Sequence, residues 1–222
     1  MATVIQKFKM DILNRTDITK LSLTNQYQVS ISGITGALKE YLERFYSVDN
    51  NYLNGAIGIM CSEATLPSSS FATAEVKDNF QGINQQFAHT RMYLDSDFTF
   101  YVDRKYNVLK FFEGWMDYIS GDNTVDGVTR GTDENYYRRF NYPMQSNETV
   151  GYKCGTLSIV KFDRNFEHQV GYEFINAFPK AMTSIPVSYG DADILKVTIQ
   201  FAYDRYIMGG WNLLLNKLTE VY

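Results

Sequence analysis

From Ile194 to Tyr203 apolar and polar residues alternate without a break, with Leu195, Val197, Ile199, Phe201 and Tyr203 on one side and Lys196, Thr198 and Gln200 on the other. Successive strand side chains point to opposite faces, so this run predicts a strand with one packed face and one wet face. The same period recurs in Gln26 to Ile31, where Tyr27, Val29 and Ile31 share a face, and in Asp97 to Val102, where Phe98, Phe100 and Val102 do. Thr156 to Lys161 and Tyr172 to Asn176 are two further strands of this kind. Antiparallel sheets with one face on the core give this pattern, and the fold expected is mainly β.

Two segments change period. Between Asp103 and Ile119, residues Val108, Phe111, Phe112, Trp115 and Ile119 recur at helical spacing, with Lys110, Glu113 and Asp117 opposite. Asp103 suits the start and Gly121 the end, so an amphipathic helix should pack on the sheet. Thr35 to Tyr46 gives a second helical pattern through Leu38, Leu42 and Phe45. Trp211 to Val221 is a terminal candidate after the Gly209-Gly210 pair. Asp49 to Asn54, Pro67 to Phe71 and Gly121 to Glu134 read as loops. Glu75 to Leu94 has strand-like residues around Gly82 but neither half has a strong apolar face. It predicts a long hairpin that finds its partner outside its own domain.

Charge narrows the function. The 222 residues carry 21 Lys+Arg against 25 Asp+Glu, a net charge of −4, which argues against a protein that grips nucleic acid by charge. No stretch reaches the roughly 20 apolar residues of a membrane helix, and Met1 to Lys9 lacks the apolar run of a signal peptide. Cys61 and Cys154 are too few and too far apart for a disulfide framework or a zinc knuckle, and read as reduced small hydrophobes.

Catalytic chemistry finds little to work with. His89 and His168 are the only histidines. No G-x-S-x-G turn, Walker-type loop or G-x-G-x-x-G is present. Both histidines read as solvated or interface residues. Asp122 to Asp133 imitates a calcium loop at Asp122, Asp126 and Gly127, but Arg130 fills the ninth position and Asp133 stands where a bidentate Glu belongs. A solvated loop is the plainer reading. Tyr136-Tyr137-Arg138-Arg139-Phe140 interleaves bases and aromatics, which suits a protein interface better than a strand of nucleic acid beside Asp133 and Glu134. The sequons at Asn14 and Asn147 carry little without a secretory signal, and the pairs Asp95/Asp97 and Asp191/Asp193 fit turn chemistry. No cofactor, no metal and no enzymatic activity are expected.

Three blocks then resemble the tail tube protein family of contractile-tailed, T-even-type phages, in wording closest to cyanobacterial myophage versions. Ala64-Thr65-Leu66-Pro67 hands a core strand to an excursion through Glu75-Val76 and Phe80-Gln81-Gly82 to Phe87-Ala88-His89. Asp97 to Val102 runs directly into the helix bearing Phe111, Phe112 and Trp115. Phe174 to Lys180 continues through Ile185-Pro186-Val187 and Leu195 to Phe201 to Tyr203-Asp204-Arg205-Tyr206. The resemblance spans about residues 20 to 207.

It implies one tail-tube-like domain over 1–222: an antiparallel β-barrel or sandwich with a long hairpin excursion, an N-terminal arm (1–19) and a C-terminal extension (208–222). It implies hexameric rings stacked into the inner tube of a contractile tail, a DNA conduit in the virion, assembled in the host cytoplasm. Sheath protein, baseplate tube proteins and a tail terminator would be its partners, and no stable membrane association is expected. The hairpin of residues 67 to 94, with Pro67, Glu75, Phe80, Gly82, Phe87 and His89, would touch neighbouring subunits. Wet-face residues Gln26, Gln28, Ser30, Thr156, Ser158, Glu173, Lys196, Thr198 and Gln200 would line the lumen, where a near-neutral wall lets DNA pass without binding it. The longer segments at Asp49 to Gly58 and Gly121 to Glu134, and the tail after Tyr206, leave a baseplate tube initiator or cap of the same fold open. A calcium- or carbohydrate-binding β-sandwich using Tyr136, Tyr137 and Tyr142 is the rival from another class.

Overall fold

The computed structural model describes residues 22–76, 82, 84–120, 151–163, 169–183, 185, 189–190 and 193–209. The expected N-terminal arm, Phe80, the Asp122 to Asp133 loop, the Tyr136 to Phe140 run, Tyr142, His168, both sequons, Asp191 and the helix from Trp211 lie outside these residues.

The five alternating segments all become strands, and with two more they build a seven-stranded main sheet among the described residues. β1 (Tyr27–Ser32), β6 (Cys154–Phe162), β7 (Gln169–Met182), β8 (Lys196–Ala202), β5 (Ser96–Tyr101) and β2 (Cys61–Ala64) are neighbours in that spatial order, with every pairing antiparallel. β9 (Arg205–Gly209) pairs with the first half of β7, so β8 and β9 run end to end along one edge of that 14-residue strand. The remaining two strands, β3 (Ser69–Val76) and β4 (Gln85–Tyr93), form a separate two-stranded hairpin between β2 and β5. The apolar faces meet as foreseen: Val29, Ile31, Phe98, Phe100, Leu157, Ile159, Phe174, Val197, Ile199 and Phe201 are all buried.

Two helices cover that face. α1 (Gly36–Tyr46) starts where Thr35 accepts a hydrogen bond from the Leu38 amide at 3.3 Å, and it ends at Ser47 in the left-handed conformation (φ 50°). Between Asn50 and Leu53 runs the single-turn α2, followed by a 3₁₀ turn over Ala56–Met60. α3 (Asn107–Ser120) buries Val108, Phe111, Phe112 and Trp115 completely against the sheet. At roughly 1.5–3 kcal/mol for each fully buried large side chain, this stripe dominates the stability of the layer. Gly114 lets the helices meet, since a β-carbon there would lie 2.6 Å from Leu42 Cδ2.

Several expectations change. The packed layer is a pair of helices, α1 beside α3. In α1, Tyr41 turns inward at 7% exposure while Phe45 is left at 39%, because the helix meets α3 along the Leu38–Tyr41–Leu42 stripe. α3 begins at Asn107; the Asp103 carboxylate still accepts from the Val108 amide at 3.3 Å and from Asn107 Nδ2 at 2.9 Å, across an intervening turn. Asp49 to Asn54 holds α2 instead of a loop, and β3 begins at Ser69, inside the segment expected to be loop to Phe71. Val102 lies just past β5 and is half-buried, as is Ile119.

The sheet rolls but is not a closed barrel. β1 and β2 stand at its ends, and the 3₁₀ turn fills the space between them. Tyr27 Oη donates to the Cys61 carbonyl at 3.4 Å, and a β-carbon on Gly58 would sit 2.2 Å from the Val29 carbonyl oxygen. Only glycine permits that approach. Opposite, where β8 passes to β9, Asp204 ties the sheet together: Lys153 Nζ lies 2.9 Å from Oδ1 and Asn176 Nδ2 donates to Oδ2 at 2.7 Å. Partial burial alone would raise this carboxyl, but the hydrogen bonds from Asn176 and Lys153 outweigh it and hold it below the usual carboxylate range. A depressed folded-state pKa contributes stability above the unfolded value that is lost as pH falls through the folded one. Asp204→Asn is therefore expected to flatten the acid limb of the stability profile below about pH 4, measured by urea unfolding at stepped pH.

Candidate assembly surfaces

The hairpin is the most exposed part of the described chain. Pairing runs from Ser69 opposite Tyr93 to Val76 opposite Gln85, with a register shift after Ala72 that leaves His89 as the extra residue of β4. Such a bulge bends and twists the ribbon. One face carries Ala72, Ala74 and Val76 with Phe87, Thr90 and Met92; the other carries Ser69, Phe71, Thr73 and Glu75 with Gln86, Ala88, Arg91 and Tyr93. Phe71, Val76, Phe87 and Met92 are exposed by 58, 42, 53 and 47%. Four large apolar side chains on a ribbon too thin to bury them stay exposed to solvent. Among the described residues each strand also keeps one unpaired edge.

The residues expected at this surface are distributed along it. Pro67 is half-buried at the root; Glu75, Phe87 and His89 are exposed along the strands; Gly82 sits between the strands with φ 66°. Glu75 Oε1 accepts from Asn84 Nδ2 at 2.8 Å, and His89 Nδ1 lies 2.6 Å from Thr90 Oγ1. Phe71 and Met92 were not foreseen. Phe71 fell in a presumed loop, and unbroken alternation would have set Met92 on the face opposite Phe87; the bulge at His89 brings the two together.

The wet-face residues divide in two. Gln28, Ser30 and Lys196 are exposed, and Gln26, Thr156, Thr198 and Gln200 are half-buried. Ser158 and Glu173 are buried, at 7 and 8%, so this face is not wet throughout. They lie opposite each other on β6 and β7, and Glu173 accepts from Thr156 Oγ1 at 3.4 Å. Alternation specified the face; it could not say how much of that face the rest of the chain covers. Gln26 borders a groove of about 460 Å³ along β1 with Tyr27, Ile59, Cys61 and Phe162. Lys196 lies 3.4 Å from Glu63 on β2, and Thr198 exchanges a hydrogen bond with Thr99 at 2.9 Å.

Neither cysteine is an activated nucleophile. Burial pushes each thiol up to about 12, and Cys154 is 1% exposed. Among the described residues no group of three His, Cys, Asp or Glu side chains could hold a metal ion, and no helix is long and apolar enough to cross a membrane.

Components of contractile injection machines share this fold. Over 89% of its length the chain matches 97% of a chain from the sheath–tube complex of an extracellular contractile injection system, with a TM-score of 0.53 and 14% identity. The tube-terminating cap of the anti-feeding prophage matches at 0.53 and 13% identity, covering 86% of this chain and 91% of that one. A chain of the six-fold symmetrised baseplate of the same prophage matches at 0.51 and 10%, covering 86 and 97%. At such identities the likeness is one of fold. Sequence carries the rest: the phage tail tube protein model matches residues 22–209, and the chain belongs to that family. No curated protein sequence matches it. The family is one of structural tail components, not of enzymes.

Proposed function

We propose that this chain is the repeating subunit of the inner tube of a contractile phage tail. Six copies close into a ring through the free edges of the rolled sheet, and rings stack through the β3–β4 hairpin, giving a channel through which DNA leaves the virion. The observation that carries this reading is the hairpin: exposed apolar residues on both faces, two unpaired edges, and a family whose members build tubes. Ring closure removes edge strands that would otherwise invite uncontrolled pairing, and head-to-tail stacking is a contact that does not close on itself and so grows a filament. The sheath protein packs outside the tube, and baseplate and terminator proteins hold its ends. Assembly takes place in the host cytoplasm.

Negative-stain microscopy of the purified, concentrated protein tests it: tubes or stacked rings are expected, and isolated compact particles at every concentration would refute it. The match to a tube-terminating cap, as good as that to the sheath–tube complex, supports a second reading as a single ring at the tube end. Co-sedimentation with sheath protein separates the two, because only the repeating subunit offers a continuous surface to a sheath.

The lumen in this reading is the face of Gln28, Ser30, Thr156, Lys196, Thr198 and Gln200, with Gln26 at its margin and Ser158 and Glu173 beneath the surface. Near-neutral polar groups wet such a wall without binding phosphates. Gln28→Lys with Ser30→Lys should leave tube assembly intact and slow DNA ejection, the more so at low salt, as followed by dye uptake from opened phage. Unchanged ejection at low salt would place these residues elsewhere.

A further inference from the structure

The hairpin meets the sheet at a joint that the core does not require. A two-stranded ribbon joined to its domain by two chain crossings can pivot at its root. Here the backbone tie at the root is the Leu94 amide donating to the Ser68 carbonyl at 3.2 Å. Beyond it, side chains join the backbone-paired β3 and β4 to β9. Arg91 on β4 donates from Nε to Ser69 Oγ on β3 at 3.1 Å and from Nη2 to Tyr206 Oη on β9 at 3.0 Å. Ser69 Oγ and Tyr206 Oη are themselves 3.1 Å apart, closing a triangle of hydrogen bonds. The guanidinium carbon lies 5.1 Å from the centre of the Tyr93 ring and 5.3 Å from that of Tyr206, and those rings meet edge to face at 5.4 Å. Tyr206 packs in turn on Tyr172 and Tyr203, and Tyr203 Oη donates to the Leu94 carbonyl.

We propose that Arg91 is a positioning residue that sets the direction in which the hairpin leaves the sheet, by latching β3 and β4 to Tyr206 on β9. The proposal rests on the reading of the hairpin as an assembly arm, and adds what aims it. Arginine fits the task because its planar fork reaches two hydroxyls at once while its face lies on aromatic rings, which a lysine ammonium cannot do. The Tyr206 hydroxyl pKa is lowered, first by its hydrogen bond with Ser69 and then by Arg91, in keeping with a hydroxyl that accepts from both. An exposed cation–π contact is a modest attraction, so the latch aims the arm without locking it. An arm held at one angle meets its neighbour without first losing the freedom of a pivot, the gain of preorganisation.

Native-state hydrogen exchange of the full-length protomer, read by mass spectrometry, is the test. In Arg91→Ala, amides of 69–76 and 85–93 are expected to exchange about tenfold faster, while those of β5 and β8 stay within roughly twofold of the parent. Tyr206→Phe keeps the ring and loses the hydroxyl, so it should fall between the two; Arg91→Lys keeps the charge and should resemble Arg91→Ala. Hairpin exchange within roughly twofold of the parent in both Arg91→Ala and Tyr206→Phe would overturn the latch, as would equal acceleration in β5 and β8, which would make Arg91 a residue of global stability. A second readout is the protomer concentration at which particles appear, expected to rise about tenfold in Arg91→Ala. If the parent protein never assembles but the exchange pattern holds, the assembly reading fails and the latch stands.

Discussion

Excising residues 69–93 and joining Ser68 to Leu94 through an Asn-Gly turn is expected to give a protomer that folds but builds no tubes. The root is already a tight backbone turn in waiting, since the Leu94 amide reaches the Ser68 carbonyl at 3.2 Å, and Asn-Gly adopts the turn that such a closure needs. No described residue of the hairpin belongs to the buried core; its large apolar side chains are exposed. The loss in protomer stability should therefore be small, about 1 kcal/mol for the hydrogen bonds and ring contacts at Arg91 and Tyr93. The effect on assembly should be complete, because stacking loses its only projecting contact among the described residues. Urea unfolding measures the first quantity and sedimentation with electron microscopy the second. Tubes of normal length from the excised chain would remove the hairpin from the assembly mechanism.

The second large effect lies in the core. Trp115 is fully buried, packs edge to face on Phe111 at 5.7 Å and on Phe201 at 6.3 Å, and donates from Nε1 to the Tyr152 carbonyl at 2.7 Å. It joins α3, β8 and the chain entering β6. Trp115→Ala should cost about 3–5 kcal/mol, the range for truncating a large buried aromatic. That is a large part of the stability of most domains, so the variant should be recovered largely unfolded or aggregated. Trp115→Phe separates packing from the hydrogen bond: most of the volume remains, but the Tyr152 carbonyl loses its donor, for about 1–3 kcal/mol. Urea midpoints at constant slope give both values. A Trp115→Ala protomer with a near-parental midpoint would mean that α3 is not the element that holds the sheet.

Where a residue's neighbours in space are also its neighbours in sequence, the fold was legible. The alternation of Lys196 to Ala202 and the stripe of Val108, Phe111, Phe112 and Trp115 depend only on local period, and both were placed on the right side of the right element. The exchange of Phe45 for Tyr41 shows the limit, for either residue lies near the Leu38–Leu42 stripe and only the position of α3 decides between them. Gly58 gave no sign of its role, since its constraint is a carbonyl of β1 that reaches it through the roll of the sheet. Burial of Ser158 and Glu173 follows from coverage by the rest of the chain, which strand period does not encode. The hairpin was legible as an excursion through its weak apolar faces and its family resemblance. Its latch was not, because Arg91 and Tyr206 are 115 positions apart and no local period relates them.

The order of strands has a consequence for how such a chain is made. β1 pairs with β6, so Tyr27 faces Lys161, and the first of the described strands waits for roughly 130 further residues before its partner exists. At bacterial translation rates of about 5–20 residues per second, that interval is roughly 7 to 27 s. Throughout it Val29 and Ile31 have no paired strand beside them, and contacts this remote in sequence also form slowly once they can. A tail needs many copies at once, and the nascent chains present the same uncovered strands to one another. Protection during synthesis, by chaperones or by slow, well-spaced translation, is then expected to set the yield of folded protomers.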